Sequence, residues 1–258
     1  MSQNFVLNSI SNKAKIGSNV TIGDFTVIKD DVEIGNNVEI GTSVIIADGA
    51  RIADGVKIHH GAAVSTIPQD LKFIGEYTTL EIGEGTVVRE FSMLNRGTAA
   101  SGKTTIGKNC LLMAYTHVAH DCIVGNNVIM ANCATLSGHV FVDDWAVLGG
   151  ITGVHQFCKI GKHVMVSAQC KVVKDIPPYI TAGNSPIRFE GLNIIGLKRR
   201  GFDTNKIQNI EKAYHIIYLS GLNVSDAVKK IKQEPQLSDE VNEIIRFIEQ
   251  SERGIIKG

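Results

Sequence analysis

An aliphatic side chain returns every sixth residue along most of this chain. Ile10, Ile16, Ile22, Ile28, Ile34, Ile40, Ile46, Ile52, Ile58 and Val64 open the series; it resumes at Ile82, Val88 and Leu94 and then runs from Ile106 to Val172. Two residues before each aliphatic stands a small or β-branched residue, as at Ala14, Val20, Thr26, Val32 and Val38. Glycine often follows the aliphatic (Gly17, Gly35, Gly107, Gly125, Gly161), and Asn or Gly is frequent two residues later still. A period of six matches neither an amphipathic helix nor a plain surface strand. It matches a short strand plus a turn, with one aliphatic and one small residue facing inward and with Gly or Asn supplying φ > 0 at the turn. Three such units close a triangular coil of roughly 18 residues, and stacked coils form a parallel β-helix.

The pattern breaks at 65–81 and 95–105, which reads as two loops outside the prism, the place where solenoids put binding insertions. It stops at Lys174-Asp175-Ile176-Pro177-Pro178, because proline cannot donate to a strand ladder. Beyond the prolines the period turns helical. Thr204 is the expected N-cap of a helix carrying Ile207, Ile210, Tyr214, Ile217 and Tyr218; Ser225 and Ser238 are the expected caps of two more. The reading is therefore a mainly β chain: a β-helix over residues 1–180, then a linker and a C-terminal α-helical region over 181–258 that covers the open end of the prism.

Composition narrows the function classes. The 258 residues carry 26 basic and 26 acidic side chains, a net charge of zero, which gives no broad nucleic-acid or membrane-surface footprint. No apolar run approaches the roughly 20 residues of a membrane span, and the N-terminus lacks the pattern of a secretory signal. The five cysteines are odd in number, and Cys110, Cys122, Cys158 and Cys170 share one inward position of the repeat. They read as buried free thiols in a reducing compartment.

The candidate chemistry lies in His117-Val118-Ala119-His120-Asp121-Cys122. If a coil is about 18 residues, positions i and i+18 stack on neighbouring rungs roughly 4.8 Å apart. His120 then stacks on Gly138 and Gln156, Asp121 on His139 and Phe157, His117 on Thr135 and Gly153, and Ala119 on Ser137 and His155. Four of the eight histidines, with Asp121 and Gln156, converge on one patch. A neutral imidazole can take a proton from a hydroxyl at neutral pH. An adjacent carboxylate can fix its tautomer and stabilise the imidazolium. The Gly138 N–H, one rung along, is a candidate oxyanion donor. No serine stands in a nucleophile elbow and Cys122 is expected to point inward, which favours direct transfer over a covalent intermediate. The rival reading of the patch is a zinc site built from three imidazoles, as in some β-helix hydratases. The close Asp121 and the large helical extension fit it less well, so no metal or other cofactor is expected. A non-catalytic β-helix scaffold would show bland faces or regular Thr ladders instead.

These hexapeptides resemble those of the left-handed β-helix acyltransferases. Further motifs narrow the resemblance: Pro68-Gln69-Asp70-Leu71-Lys72, Asn95-Arg96-Gly97-Thr98, Leu136-Ser137-Gly138-His139, Val154-His155-Gln156-Phe157-Cys158, Gly196-Leu197-Lys198-Arg199-Arg200-Gly201-Phe202 and Ser251-Glu252-Arg253-Gly254. Together with the His117–Cys122 stretch they closely resemble the UDP-N-acetylglucosamine O-acyltransferases, which open lipid A synthesis. The resemblance implies a left-handed prism and a cytoplasmic homotrimer with sites in the clefts between subunits. It implies transfer of an (R)-3-hydroxyacyl group from acyl carrier protein to the glucosamine 3-hydroxyl of UDP-N-acetylglucosamine. It assigns His120 as general base, Asp121 as its orienting carboxylate and Gly138 as oxyanion donor. Gln69, Asp70, Lys72, His117, His139, His155 and Gln156 match residues around sugar, pyrophosphate or acyl chain; Asn193, Arg199 and Arg200 match the nucleotide side. Met165 and Ala168 fall at the family's acyl-chain ruler. Ile195 departs from the pattern, since some members carry Glu there. An acidic carrier would have to dock on a local basic patch, for which Lys162, Lys171, Lys174, Arg188 and Lys198 to Arg200 are candidates. Imidazole would serve an amine acceptor as well as a hydroxyl, so a related transferase acting on an amino sugar stays open.

Overall fold

The structure, a computed structural model, describes residues 7–258. Short strands, most of them two residues long, stack into three sheets of nine, eight and ten strands. These are the three faces of a left-handed parallel β-helix. Register follows the coil length. Val118 lies opposite Leu136 and then Val154 on the first face, Ile123 opposite Phe141 and Lys159 on the second, and Ile129 opposite Val147 and Met165 on the third. The inward pairs, such as Ala50 with Ile52, Cys122 with Val124 and Cys158 with Ile160, are buried. Burial pushes the Cys122 thiol up to about 12 and that of Cys158 to about 11, so neither is a nucleophile at neutral pH.

The glycines after the aliphatics serve a different purpose from the one expected. A Cβ on Gly107 would come within 2.4 Å of the Gly125 carbonyl oxygen, and one on Gly125 within 2.6 Å of the Asp144 carboxylate. Glycine is required there by the approach of the next rung. The left-handed conformations sit two residues further on, at Asn19, Asn37, Asn109 and Asn127 but also at Tyr115, Asp121, His139, Trp145, Ile151, Phe157 and His163. They form three columns, one along each edge of the prism. A bulky residue in this conformation costs on the order of 1 kcal/mol or more, offset here by its stacking along the edge.

Both insertions leave from the same edge, between first and second faces. Strands Ala63–Thr66 and Thr79–Ile82 bracket the first and Met93–Asn95 and Lys103–Ile106 the second, so the loops proper span 67–78 and 96–102. The ladder resumes in register after each, with Ala63 opposite Met93 and Met93 opposite His117.

The two prolines do not end the prism. Ile176 bridges to Ile160, and strands Ile180–Gly183 and Arg188–Leu192 add to the third face where a linker was expected. The turn tolerates proline because Gly161 leaves room for it; a Cβ there would meet the Pro178 nitrogen at 2.6 Å. Four helices follow: α1 (Ile194–Arg199), α2 (Thr204–Leu219), α3 (Val224–Ile231) and α4 (Asp239–Glu249). Ser238 caps α4 as expected, but Asp203 rather than Thr204 caps α2, and Asn223 rather than Ser225 caps α3. Their side-chain oxygens accept from the N–H three residues on, at 2.8 Å from Lys206 and 2.9 Å from Asp226. The helical region is tied to the prism by polar contacts. The Tyr214 hydroxyl donates to the Pro178 carbonyl at 2.6 Å, and the buried Asp175 carboxylate accepts from the Lys159 N–H at 2.8 Å and the Ser251 hydroxyl at 2.6 Å. Among the described residues no helix is long and apolar enough to cross a membrane.

Candidate active site

His120 and Asp121 sit on the first edge, directly below the two insertion loops. His120 Nδ1 lies 2.7 Å from Asp121 Oδ2. The Asp121 carboxylate is fully buried and can only accept, so in the neutral imidazole the proton is on Nδ1 and Nε2 carries the lone pair. The ring packs over Gly138, where a Cβ would fall 2.5 Å from His120 Cε1 and 2.7 Å from Nε2. Any side chain at 138 would displace the imidazole. The Gly138 N–H finds no acceptor among the described residues, unlike its neighbours in the ladder, Ser137 and His139.

Asp121 is held from several sides. Its φ is +60°, and its N–H donates to the buried Thr104 hydroxyl at 2.8 Å. Oδ1 accepts from the Thr98 N–H at 2.9 Å, Oδ2 from the Thr98 hydroxyl at 2.7 Å, and the Ser101 hydroxyl is also hydrogen-bonded to Oδ1. Burial alone would raise this carboxyl. The hydrogen bonds from Ser101, His120 and Thr98 together outweigh burial and hold it at about 2.

The remaining predicted residues fall into two groups. The first shares the edge. His139 stands one rung on, its Nε2 3.6 Å from Asp121 Oδ2, stacked on Phe157 at 4.5 Å between centroids. His117 points its Nδ1 at the Met93 carbonyl, 3.1 Å away, and burial lowers its pKa, which keeps it neutral. Gln69, from the first loop, donates to Met93 Sδ at 3.6 Å and so approaches the His117 ladder. Asp70 fixes the turn of that loop by accepting from the Lys72 N–H at 3.0 Å. His155 and Gln156 are exposed at the next rung.

The second group lies elsewhere on the chain. Asn193 caps α1, its Oδ1 accepting from the Gly196 N–H at 3.1 Å and its Nδ2 donating to the His163 carbonyl at 2.9 Å on the second edge. The Arg200 guanidinium lies 5.0 Å over the Trp145 ring on that same edge, and Arg199 is exposed beside it. Met165 is on the third face and Ala168 at the third edge. Ile195 projects from α1, 68% exposed. One chain therefore gathers the histidines and the first loop, and carries the nucleotide-side and ruler residues on other edges.

Sequence spacing missed three residues, Thr98, Ser101 and Thr104. Thr98 and Ser101 follow the loop and not the six-residue repeat, whereas Thr104 holds the inward position two before Ile106; the available signal was a run of hydroxyls, Thr98, Ser101, Thr104 and Thr105, in and just after the insertion.

Ligating atoms of His120, Asp121 and His139 lie within 4.8 Å of one another, the spacing of a metal site. The carboxylate oxygens, however, each already take two hydrogen bonds. A cation at Asp121 would have to compete with these four donors for the carboxylate lone pairs. The donor set fits a base held by its carboxylate better than it fits a cation.

The chain is similar to known proteins of one family. Residues 175–256 match the family model described as UDP N-acetylglucosamine O-acyltransferase, domain 2, and residues 13–48 and 103–138 match the bacterial transferase hexapeptide model. The acyl-[acyl-carrier-protein]--UDP-N-acetylglucosamine O-acyltransferase of Chlorobaculum tepidum is 58% identical over 188 residues, 72% of this chain and 71% of that protein. The one from Trichlorobacter lovleyi is 55% identical over 203 residues, 77% and 78% of the two chains. The crystal structure of a UDP-N-acetylglucosamine acyltransferase from Bacteroides fragilis superposes with a TM-score of 0.94 at 46% identity, covering 99% of this chain and 100% of that one. By sequence and by fold, this chain belongs to the UDP-N-acetylglucosamine O-acyltransferase family.

Proposed function

We propose that the chain transfers an (R)-3-hydroxyacyl group from acyl carrier protein to the glucosamine 3-hydroxyl of UDP-N-acetylglucosamine, the first step of lipid A synthesis, in the cytoplasm. The observation that carries the mechanism is the 2.7 Å bond from His120 Nδ1 to Asp121, which leaves Nε2 as the free base. Nε2 removes the sugar hydroxyl proton as the oxygen attacks the thioester carbonyl. Asp121 stabilises the imidazolium that forms, and the Gly138 N–H donates to the developing oxyanion. As the tetrahedral intermediate collapses, the carrier's thiolate leaves and takes the proton back from His120. Gln69, Asp70, Lys72, His117, His139, His155 and Gln156 would surround the sugar, pyrophosphate and acyl chain.

The functional unit on this reading is a homotrimer. Asn193, Arg199 and Arg200, assigned to the nucleotide, lie on a different edge from His120, and so do Met165 and Ala168, assigned to the acyl chain. A neighbouring subunit that set its edge against His120 would complete the cleft. The acidic carrier would dock at the groove of about 720 Å³ lined by Lys171, Lys174, Arg188 and Lys257, which has no acidic side chain in its walls among the described residues. Lys162 is a poorer candidate, since Glu243 already pairs with it at 3.2 Å.

The test is a mass-spectrometric transfer assay with UDP-N-acetylglucosamine and 3-hydroxyacyl carrier proteins of several lengths. An O-acylated nucleotide sugar is the expected product. Product only with the 3-amino sugar would transfer the reading to an amine acceptor.

A further inference from the structure

The second insertion, 96–102, does more than frame the cleft. It places two hydroxyls and an N–H on the one carboxylate that faces His120. The Thr98 hydroxyl, which itself accepts from the Ala100 N–H at 3.2 Å, has its proton free for Asp121 Oδ2 at 2.7 Å. The Ser101 hydroxyl reaches both the Lys103 carbonyl, at 2.8 Å, and Asp121 Oδ1. Its single proton goes to the carboxylate, the stronger acceptor. The loop is itself anchored: Glu76 of the first loop accepts from the Ala99 N–H at 3.0 Å, and Arg96 donates to the Asp48 carbonyl at 2.9 Å while lying 5.5 Å over the Phe73 ring.

We infer that Thr98 and Ser101 are positioning residues that set the basicity of His120 by sharing the charge of Asp121. The inference rests on His120 being the base. Every neutral donor on a carboxylate draws charge away from its other acceptor directions, and His120 Nδ1 occupies one of them. With Thr98 and Ser101 in place, Asp121 holds the tautomer while stabilising the imidazolium only partly. The proton gained from the sugar is then released readily to the leaving thiolate. The other titratable groups facing the pair are His139, 3.6 Å from Oδ2 on the next rung, and His117 on the strand that leads into the turn. On the loop's far side Lys103 pairs with Glu81 at 3.0 Å and Glu76 is bound to Ala99, so neither is aimed at His120.

The sign is fixed. Removing a hydroxyl concentrates charge on the His120 side of Asp121 and favours imidazolium. The neutral base is the active form, so the acid limb of the kcat/KM profile should move to higher pH. The experiment compares Ser101→Ala and Thr98→Val with wild type by two readouts: the pH profile, and the titration of the His120 ring signals by NMR on the unliganded protein. Both variants should titrate higher by about half a pH unit or more, a differential well under the several units that partners can impose. Ser101→Thr should restore the wild-type profile. In an Asp121→Asn background the same substitutions should shift nothing, because the charge being shared is gone. Unmoved titration curves in both variants, with activity lowered evenly at all pH values, would overturn the inference and leave the loop a shape-holding element. If the NMR curve shifts while the pH profile does not follow it, the inference stands for the His120–Asp121 pair and His120 loses its place as the base.

Discussion

Two edges of the same prism carry stacked ring residues in the same left-handed conformation, and only one of them, among the described residues, has a histidine hydrogen-bonded to a carboxylate. The first holds Asp121, His139 and Phe157; the second holds Trp145, His163 and Tyr179. His139 stacks on Phe157 at 4.5 Å, and His163 lies between Trp145 at 6.3 Å and Tyr179 at 5.7 Å, with Phe202 edge-on at 5.1 Å. The repeat built both columns alike. The difference comes from what lies alongside. The first edge carries a carboxylate in its column and a loop, 96–102, that supplies donors to it. The second is covered by α1 and Phe202, leaves His163 6% exposed, and gives its Nδ1 no partner among the described residues. Burial, then the charges of Arg200 and Lys162, drive His163 down to about 4. Both column histidines, His139 and His163, are stacked scaffold elements; His120 stands beside the first column, paired with the carboxylate that the column holds.

The largest expected effect separates the two histidines directly. His120→Ala should reduce turnover by about 10² to 10⁴ with little change in melting temperature, whereas His163→Phe should leave kcat near wild type. Phenylalanine suits the aromatic stack and removes the buried Nδ1 that has no partner among the described residues, together with Nε2. Steady-state kinetics on both variants decides it; turnover by His120→Ala within tenfold of wild type would remove it from the mechanism.

Gly138→Ala ranks next. The new methyl would need the space of the His120 ring, at 2.5 to 2.7 Å, while Nδ1 is pinned to Asp121. The imidazole must tilt, and a displacement of about 1 Å near reacting atoms can cost about 10² in rate. Folding should be spared, since the ring is at the surface of the edge. The expected result is a fall in kcat of that order with an unchanged thermal unfolding curve.

Acid stability distinguishes the edges by window. His163 is neutral in the fold down to about pH 4, while an ordinary histidine in the unfolded chain takes its proton near pH 6.5. Its contribution is complete above that value and is lost as the pH falls from about 6.5 to about 4. Asp121, held at about 2, contributes above the ordinary carboxyl range and loses that contribution between about 4 and about 2. Melting temperature against pH should therefore fall in two stages. His163→Phe should flatten the upper stage alone, and an unflattened upper stage would assign it to other groups.

The extent to which all this could be read in advance also follows the edges. The coil length put His120 over Gly138 and Asp121 over His139 because strands of fixed period allow one register, and the ladder has it. Whatever left the period was illegible. Thr98 and Ser101 reach Asp121 through a loop whose path no spacing rule determines. The rung beyond Pro177 and Pro178 depends on a close approach at Gly161, and the caps at Asp203 and Asn223 depend on which of two neighbouring polar residues turns back first. Asn193 and Arg200 were assigned by the family resemblance alone, while their place on the second edge required the hairpin of Ile180–Gly183 and Arg188–Leu192 to be seen.

The smallest expected effect is none at all, and it probes whether the first edge is a base or a ligand set. His120, Asp121 and His139 are close enough to hold a cation. Zinc would bind neutral imidazole nitrogens and a free carboxylate oxygen. At this edge the carboxylate oxygens are already satisfied by Thr98, Ser101 and His120, and the His120 nitrogen nearest to them carries the proton. Metal entry would exchange that whole set of charge-assisted bonds for coordination, and would leave the loop hydroxyls without their acceptor. Exhaustive dialysis against chelator should therefore leave the initial rate within about twofold. A larger loss, restored by stoichiometric zinc and accompanied by a change in the His120 and His139 ring signals, would make this edge a metal centre and would reverse the role given to Asp121, from orienting a base to binding a cation.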